Sequence, residues 1–319
     1  VYLLPLACIV AITVADRLDF TPRYAMVAMA GYFPLVGAGL YALRGRLWLA
    51  APAALLLLAG NGWFDHAYFT DQRFQRQDFR AAIHYTLART SQNDVVLLVS
   101  DYIEPIWSYY AGRRMPDKVI SGADVASPQR LDAALRRIAG GAARVHLFEW
   151  QDYAEDPDHH IFNWLNGHLA QVAGRNFREI TVYDFAAGSV FAAIAPAGLT
   201  PAGRDFSGQL RLIGYRQERL LEGGLRLTLV WQRLAPITRQ LHVFVHLVDA
   251  RGANVAIQDH RPGFDQVDTR QWTGRQLLID QYDLTDPSGQ PQHVELGLYD
   301  PVDGFRLQPA SLTLPYNPA

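Results

Sequence analysis

Two carboxylates and three aromatic rings follow the apolar run Val95-Val96-Leu97-Leu98-Val99: Asp101, Glu104, Trp107, Tyr109 and Tyr110. In an α/β fold, ligands gather where strands end at their carboxyl edge, so Asp101 and Glu104 are candidates for acid–base or hydrogen-bonding work. Trp107 with its tyrosine neighbours could stack on the face of a sugar, although such spacing is equally that of a packed helix face. A glycine-rich turn after the strand would announce a dinucleotide site, but Ser100-Asp101-Tyr102-Ile103-Glu104-Pro105 contains no glycine. Neither Ser108 nor Ser121 has a nearby histidine and aspartate to make it a nucleophile.

Asp158-His159-His160, with Asp152, Glu155 and Asp156, is the densest group of metal-ligating types. Zinc requires three or four ligands in a tetrahedral array, and adjacent histidines diverge, so no metal is expected there. His242 and His246 share a strand face, with His260 on the following strand, as solvated residues or a surface triad. Arg23 beside Tyr24 could grip a phosphate through the guanidinium fork, or equally a lipid headgroup. The one cysteine, Cys8, leaves the rest of the chain without disulfides or thiolate chemistry.

These residues are set on three kinds of segment. Residues 1–64 hold three charge-free stretches, at 1–15, 24–43 and 47–64, in a chain whose overall charged fraction is 19%. About 20 apolar residues at about 1.5 Å each match a bilayer's hydrocarbon thickness, which predicts two complete spans and the end of a third. Trp48, Trp63 and Tyr24 stand near the ends, where aromatic belts form. The turn Arg44-Gly45-Arg46 would lie in the cytoplasm by the positive-inside rule, putting residues 65–319 on the outer side of a bacterial membrane.

Residues 65–196 alternate helical and strand patterns, predicting a small α/β domain of three-layer, Rossmann-like type. Its strands are read at Val95–Val99, Arg144–Trp150 and Glu179–Phe185, with helices at Ser127–Ile138 and Ile161–Val172, and Ser189–Ala195 as a closing hairpin partner. A Gly- and Pro-bearing linker at 197–204 comes next. From 205 to 319 the period falls to two, as in Leu225-Leu227-Leu229-Trp231 and Val243-Val245-Leu247, which predicts an antiparallel β-sandwich, Ig-like or jelly-roll-like. The fold class expected is thus a multi-domain membrane protein: terminal transmembrane helices, an α/β domain and a sandwich. A net charge of -2 with balanced signs gives no case for nucleic acid as a partner.

Phe20-Thr21-Pro22-Arg23-Tyr24 opening an apolar span, Gln77-Asp78-Phe79-Arg80-Ala81-Ala82 opening a helix, Asn93-Asp94-Val95-Val96, and Trp107-Ser108-Tyr109-Tyr110-Ala111-Gly112 come in a telling order. Together they resemble the C-terminal end of bacterial membrane glycosyltransferases of the family 39 type, related to protein mannosyltransferases and lipid A modifying transferases. Leu225–Trp231, Val243–Leu247, Gln258-Asp259-His260, Trp272-Thr273-Gly274 and Leu296–Pro301 resemble the β-sandwich appended to some of them. The resemblance implies transfer of a sugar from a polyprenyl-phosphate donor to an extracytoplasmic acceptor, with membrane lipid and the lipid-linked donor as partners and no soluble nucleotide cofactor. It places the donor phosphate at Arg23 and Tyr24, and the catalytic carboxylate in an upstream loop that these residues do not include. The other readings are a membrane-anchored surface module whose sandwich binds carbohydrate or protein, and a hydrolase with Asp101 or Glu104 in a pocket.

Overall fold

The computed structural model describes residues 26–71, 77–112, 114–115, 117–120, 122–150, 155–187, 190–285 and 289–318. Two compact units are present, Val1–Arg76 and Gln77–Ala319. In the first, α1 (Met26–Ala42) and α2 (Leu47–Thr70) are joined through the Arg44-Gly45-Arg46 turn. The expectation of a multi-span membrane protein is corrected here. Among the described residues only α2 is long and apolar enough to cross a bilayer. Of helix α1, the described residues are Met26–Ala42. The described chain is otherwise mostly β, in three sheets. The spans expected at 1–15 and at the start of 24–43 lie outside the described residues.

The second unit opens with α3 (Phe79–Ala88). The Asp78 carboxylate accepts from the Ala81 amide at 2.9 Å and caps it. A mixed five-stranded sheet comes next, built from β1 (Val95–Leu98), β2 (Asp117–Val119), β3 (Arg144–Trp150), β4 (Ala170–Asn176) and β5 (Ile180–Ala186) in the order β2-β1-β3-β5-β4. The first three run parallel; β5 lies antiparallel to β3 and to β4. Helix α4 (Glu104–Ala111) leads into β2, then α5 (Gly122–Val125) and α6 (Pro128–Ala139) into β3, and α7 (His160–His168) precedes β4.

Successive side chains of β1 go to opposite faces. Val96 and Leu98 pack with Ile83, Leu87 and Trp107 of α3 and α4, while Leu97 packs with Leu131, Leu135 and Leu165 of α6 and α7. Burial on both faces is why this strand reads as an unbroken apolar run. The helix expected to reach Val172 stops at His168, because Ala170–Asn176 pairs with β5 across a tight turn in which Arg178 and Glu179 take positive φ.

Two antiparallel sheets stack as a β-sandwich. One has the order β11-β10-β13-β14, from β10 (His242–Asp249), β11 (Asn254–His260), β13 (Pro291–Tyr299) and β14 (Leu312–Pro315). The other has the order β6-β12-β9-β8-β7, from β6 (Phe191–Ala192), β7 (Thr200–Phe206), β8 (Leu210–Arg219), β9 (Leu225–Arg233) and β12 (Leu277–Leu284). Leu212, Leu227, Leu229 and Trp231 from one sheet meet Val243, Val245, Leu247 and Leu296 from the other in a single core. Two sequence expectations change. Phe191–Ala192 pairs with Leu277–Leu278 of the sandwich, not with the α/β strands. The stretch at 197–204 overlaps the edge strand β7, whose pairing shifts register between Pro201 and Arg204.

The Glu222-Gly223-Gly224 turn tests how tightly β9 is seated. Both glycines have positive φ, but a Cβ on Gly224 would run into the Leu284 carbonyl oxygen, whereas one on Gly223 meets nothing within 4 Å. Gly224→Ala should therefore lower unfolding free energy by about 2–3 kcal/mol and Gly223→Ala by about 1 kcal/mol. Urea denaturation of the two variants checks the order; equal losses would show that backbone conformation alone, and not the β9–β12 approach, sets the cost.

Candidate functional site

The residues singled out in the sequence do not converge. Trp107 is fully buried, and its indole N–H donates to the Met115 carbonyl at 3.2 Å. It packs edge-on against Phe148 in the core and is not available to stack on a sugar. Asp101 and Glu104 are exposed, in a short 3-10 turn and at the start of α4. Ser100 shapes that turn by accepting from the Tyr102 amide. Arg23 and Tyr24 lie outside the described residues.

In the acidic and histidine-rich stretch, the Asp156 carboxylate is buried and accepts from the His160 and Ile161 amides at 2.7 and 2.8 Å. That capping role takes it out of any ligand set. Among the described residues no three of His, Cys, Asp and Glu gather as metal ligands would. The histidines of the sandwich separate as well. His242 Nδ1 lies 3.6 Å from Asp259, His246 pairs across from Ile257, and His260 stacks flat on Tyr282 with centroids 4.2 Å apart.

The group that does converge is one that no sequence motif marks: Arg89, Asp94, Arg144, His146, Asp184, Arg226 and Asp283. It lies where the α/β sheet meets the sandwich. Arg226 donates to Asp94 at 2.8 Å and to Asp283 at 2.8 Å, and reaches the Arg89 carbonyl at 2.5 Å. Arg144 pairs with Asp283 and donates to Gln281 at 2.8 Å. Arg89 bonds Asp184 at 2.8 Å and approaches Asp283 at 3.3 Å. His146 has Asp184 at 2.7 Å on Nδ1 and Asp94 at 3.4 Å on Nε2. Only the doubly protonated imidazolium donates on both sides.

Strand register builds the cluster. Asp184 on β5 stands directly across from His146 on β3, and Asp283 on β12 directly across from Arg226 on β9. Asp94 is fixed by the turn before β1, where its carboxylate accepts from the Ser91 amide at 2.7 Å. The electrostatics come from burial set against partners. Burial works against a charged His146, yet the Asp184 charge and the two hydrogen bonds outweigh it and raise its pKa. Burial likewise opposes ionised Asp184 and Asp283, but His146 with Arg89 in one case, and Arg144, Arg226 and Arg89 in the other, hold both well below the carboxylate range. Arg144, fully buried and facing Arg226 as well as Asp283, is pushed down instead.

An Asp–His–Asp array could move protons, but His146, Asp94 and Asp184 have side chains no more than 1% exposed, so no substrate reaches them. The chemistry of the cluster is cohesion between the two lobes. Leu221 adds a backbone bond to the Thr90 carbonyl at 2.9 Å, and the Gln266 amide reaches the Gln171 carbonyl at 2.5 Å.

Removing one partner of such a buried network leaves an uncompensated charge, so Asp283→Ala should cost about 3–5 kcal/mol and split thermal unfolding into separate steps for the two lobes. A single transition near the wild-type temperature would contradict this. The pH profile has a definite sign. His146, with its folded pKa raised, adds stability that is complete below about pH 6.5 and lost as pH climbs through the folded value. The lowered aspartates add stability present above about pH 3.9 and lost in stronger acid. Stability should peak between those limits, and His146→Gln should flatten the alkaline side; urea titrations at a series of pH values measure both.

No family model and no curated protein matches the chain. Solved structures that align with it include one described as a beta-galactosidase from Bacteroides fragilis, 11% identical over 43% of this chain and 18% of that one, with a TM-score of 0.21. Another is an endonuclease/exonuclease/phosphatase from Beutenbergia cavernae DSM 12333, 16% identical over 59% of each chain, with a TM-score of 0.22. This chain thus spans less than two thirds of either, and similarity at that level bears on neither its fold nor its activity.

Proposed function

We propose that the chain is a non-catalytic portion of a membrane-bound glycosyltransferase, attached to the bilayer through α2. The observation that carries the attachment is the surface of that helix. Leu47, Trp48, Leu55, Leu56, Leu58, Trp63 and Phe64 are each 68–74% exposed. At about 100° per residue they point all around the axis, not along one stripe. A helix apolar on every side needs an apolar solvent, and its 24 residues reach about 36 Å, enough to cross a hydrocarbon core. Two of its polar side chains bond the helix's own backbone, which suits lipid: Asn61 donates to the Leu57 carbonyl at 2.8 Å and Thr70 to the His66 carbonyl at 2.7 Å.

The transferase part of the reading rests on the sequence strings from Phe20 to Gly112 and on those of the sandwich. In it, a polyprenyl-phosphate sugar is the donor, Arg23 and Tyr24 hold its phosphate at the membrane edge, and the acceptor lies on the extracytoplasmic side. The inward-turned ionic cluster suits a rigid accessory body: its charged groups are spent on joining two lobes, and Asp101 and Glu104 stand apart on the surface.

Membranes from cells making the chain should retain it through alkaline carbonate washing, and Leu56→Arg with Leu57→Arg should release it. Wild-type protein recovered in the wash would overturn the attachment. Hexose transfer from a polyprenyl-phosphate donor should be absent with this chain alone, present with its full reading frame, and reduced about tenfold by Arg23→Ala, which removes a charge-assisted phosphate contact. A full frame without transfer would overturn the transferase reading.

A further inference from the structure

The acidic stretch that fails as a metal site forms one wall of a cavity of about 660 Å³. The opposite wall comes from the segment that links β2 to β3. Strands β1, β2 and β3 are parallel, so both walls leave the same, carboxyl edge of the sheet, where α/β folds build their ligand sites. The volume lies within the range of small-molecule sites.

The lining decides the ligand class. Val125, Leu131 and Pro157 provide apolar surface. Glu155, Asp158, His160 and Asn163 provide hydrogen-bonding groups, with Trp164 between the two kinds of surface. Asp158 is 78% and His160 54% exposed at the side chain, so both present polar atoms to solvent. The indole is held in place. Its N–H donates to Asp132 at 2.9 Å, Arg136 in turn holds Asp132 at 2.8 Å, and His168 stacks on the ring at 4.1 Å. Among the described residues no Lys or Arg lines the cavity. Glu155 and Asp158, the latter 3.8 Å from His160 Nε2, put two carboxylates in the lining and repel phosphate, so a nucleotide is disfavoured despite the α/β setting. Hydroxyl groups suit the site: carboxylates accept from them, the Asn163 amide both donates and accepts, and aliphatic and indole surfaces cover C–H faces.

We infer that this cavity is a carbohydrate-binding subsite for a neutral or amino sugar, with Asp158, Asn163 and Trp164 as its principal contacts. It deepens the glycosyltransferase reading by giving the accessory body a hold on the sugar-bearing acceptor. Helix α7 buries Ile161 and Leu165 in the core, packs Trp164 partly against that core and leaves Asn163 exposed, so the contacts ride on a packed element.

The test uses the full chain in a zwitterionic, sugar-free detergent and saturation-transfer NMR with glucose, mannose, N-acetylglucosamine and glucosamine, each at millimolar concentration, and ATP for comparison. At least one sugar should receive saturation and ATP should not. Asp158→Ala with Asn163→Ala, both exposed, should weaken the sugar signal about tenfold without moving the melting temperature, as expected for lost hydrogen bonds to a charged acceptor and an amide. Trp164→Phe should weaken it as well. Silence from all four sugars, an undiminished signal in the double variant, or saturation of ATP in place of the sugars would overturn the inference. Carbonate retention and hexose transfer are measured separately, so failure of the sugar subsite and failure of the transferase reading give different results.

Discussion

Asp283 sits at the point on which the rest of the larger unit turns. Its carboxylate, fully buried, faces guanidinium groups from three elements: Arg226 beside it in the sandwich, and Arg144 and Arg89 from the α/β lobe. An ionised carboxylate removed from water is tolerated only if its lone pairs are met by charge and hydrogen bonds together. That condition cannot be satisfied within one lobe. The sandwich alone would hold an Arg226–Asp283 pair with a face open to solvent, and the α/β sheet alone would leave Arg144 without its main counter-ion. The two lobes complete each other's electrostatics, which favours one relative arrangement over others of similar apolar contact.

The same constraint explains why much of this was hidden from sequence reasoning. In β9 the order Leu225, Arg226, Leu227, Thr228, Leu229, Val230, Trp231 alternates as a half-solvated strand should. Period two did place Leu227, Leu229 and Trp231 in the sandwich core. Arg226 falls on the opposite, outer face, where a charged residue is normally solvated. Arg226 is instead 0% exposed, because that end of the outer face is covered by the turn carrying Arg89 and Asp94. Periodicity reports which residues share a face and is silent on what covers it. Likewise, His146 and Asp184 are 38 residues apart in sequence and meet through β3–β5 register, which no local pattern encodes.

Elements with one strong local signal were easier to read. The unbroken run at Val95–Val99 and the sandwich alternations reflect burial on two faces or on one, and the structure has strands at both. Strand β4 was missed because Ala170-Gln171-Val172-Ala173-Gly174 continues the helical composition of α7, and its strand state depends on pairing with β5. The membrane count failed for a related reason. Absence of charge in a 20-residue window measures solvent preference and leaves helix length open, and among the described residues one helix, α2 with 24 residues, is long and apolar enough to cross.

Candidate sites show the same division between composition and placement. Asp101, Glu104 and Trp107 were grouped by proximity in sequence, yet a 3-10 turn followed by a helix sends Trp107 into the core while both carboxylates stay outside. Glu155, Asp156, Asp158 and His160 were grouped by ligand type, and the structure sorts them: Asp156 turns inward to cap α7, whereas Glu155, Asp158 and His160 line a cavity together with Asn163 and Trp164. A carboxylate that accepts from backbone amides is committed to structure, and one that borders open volume is free to meet a ligand. By that criterion the carboxyl edge of the α/β sheet, and not the buried ionic cluster, is where the larger unit can recognise another molecule.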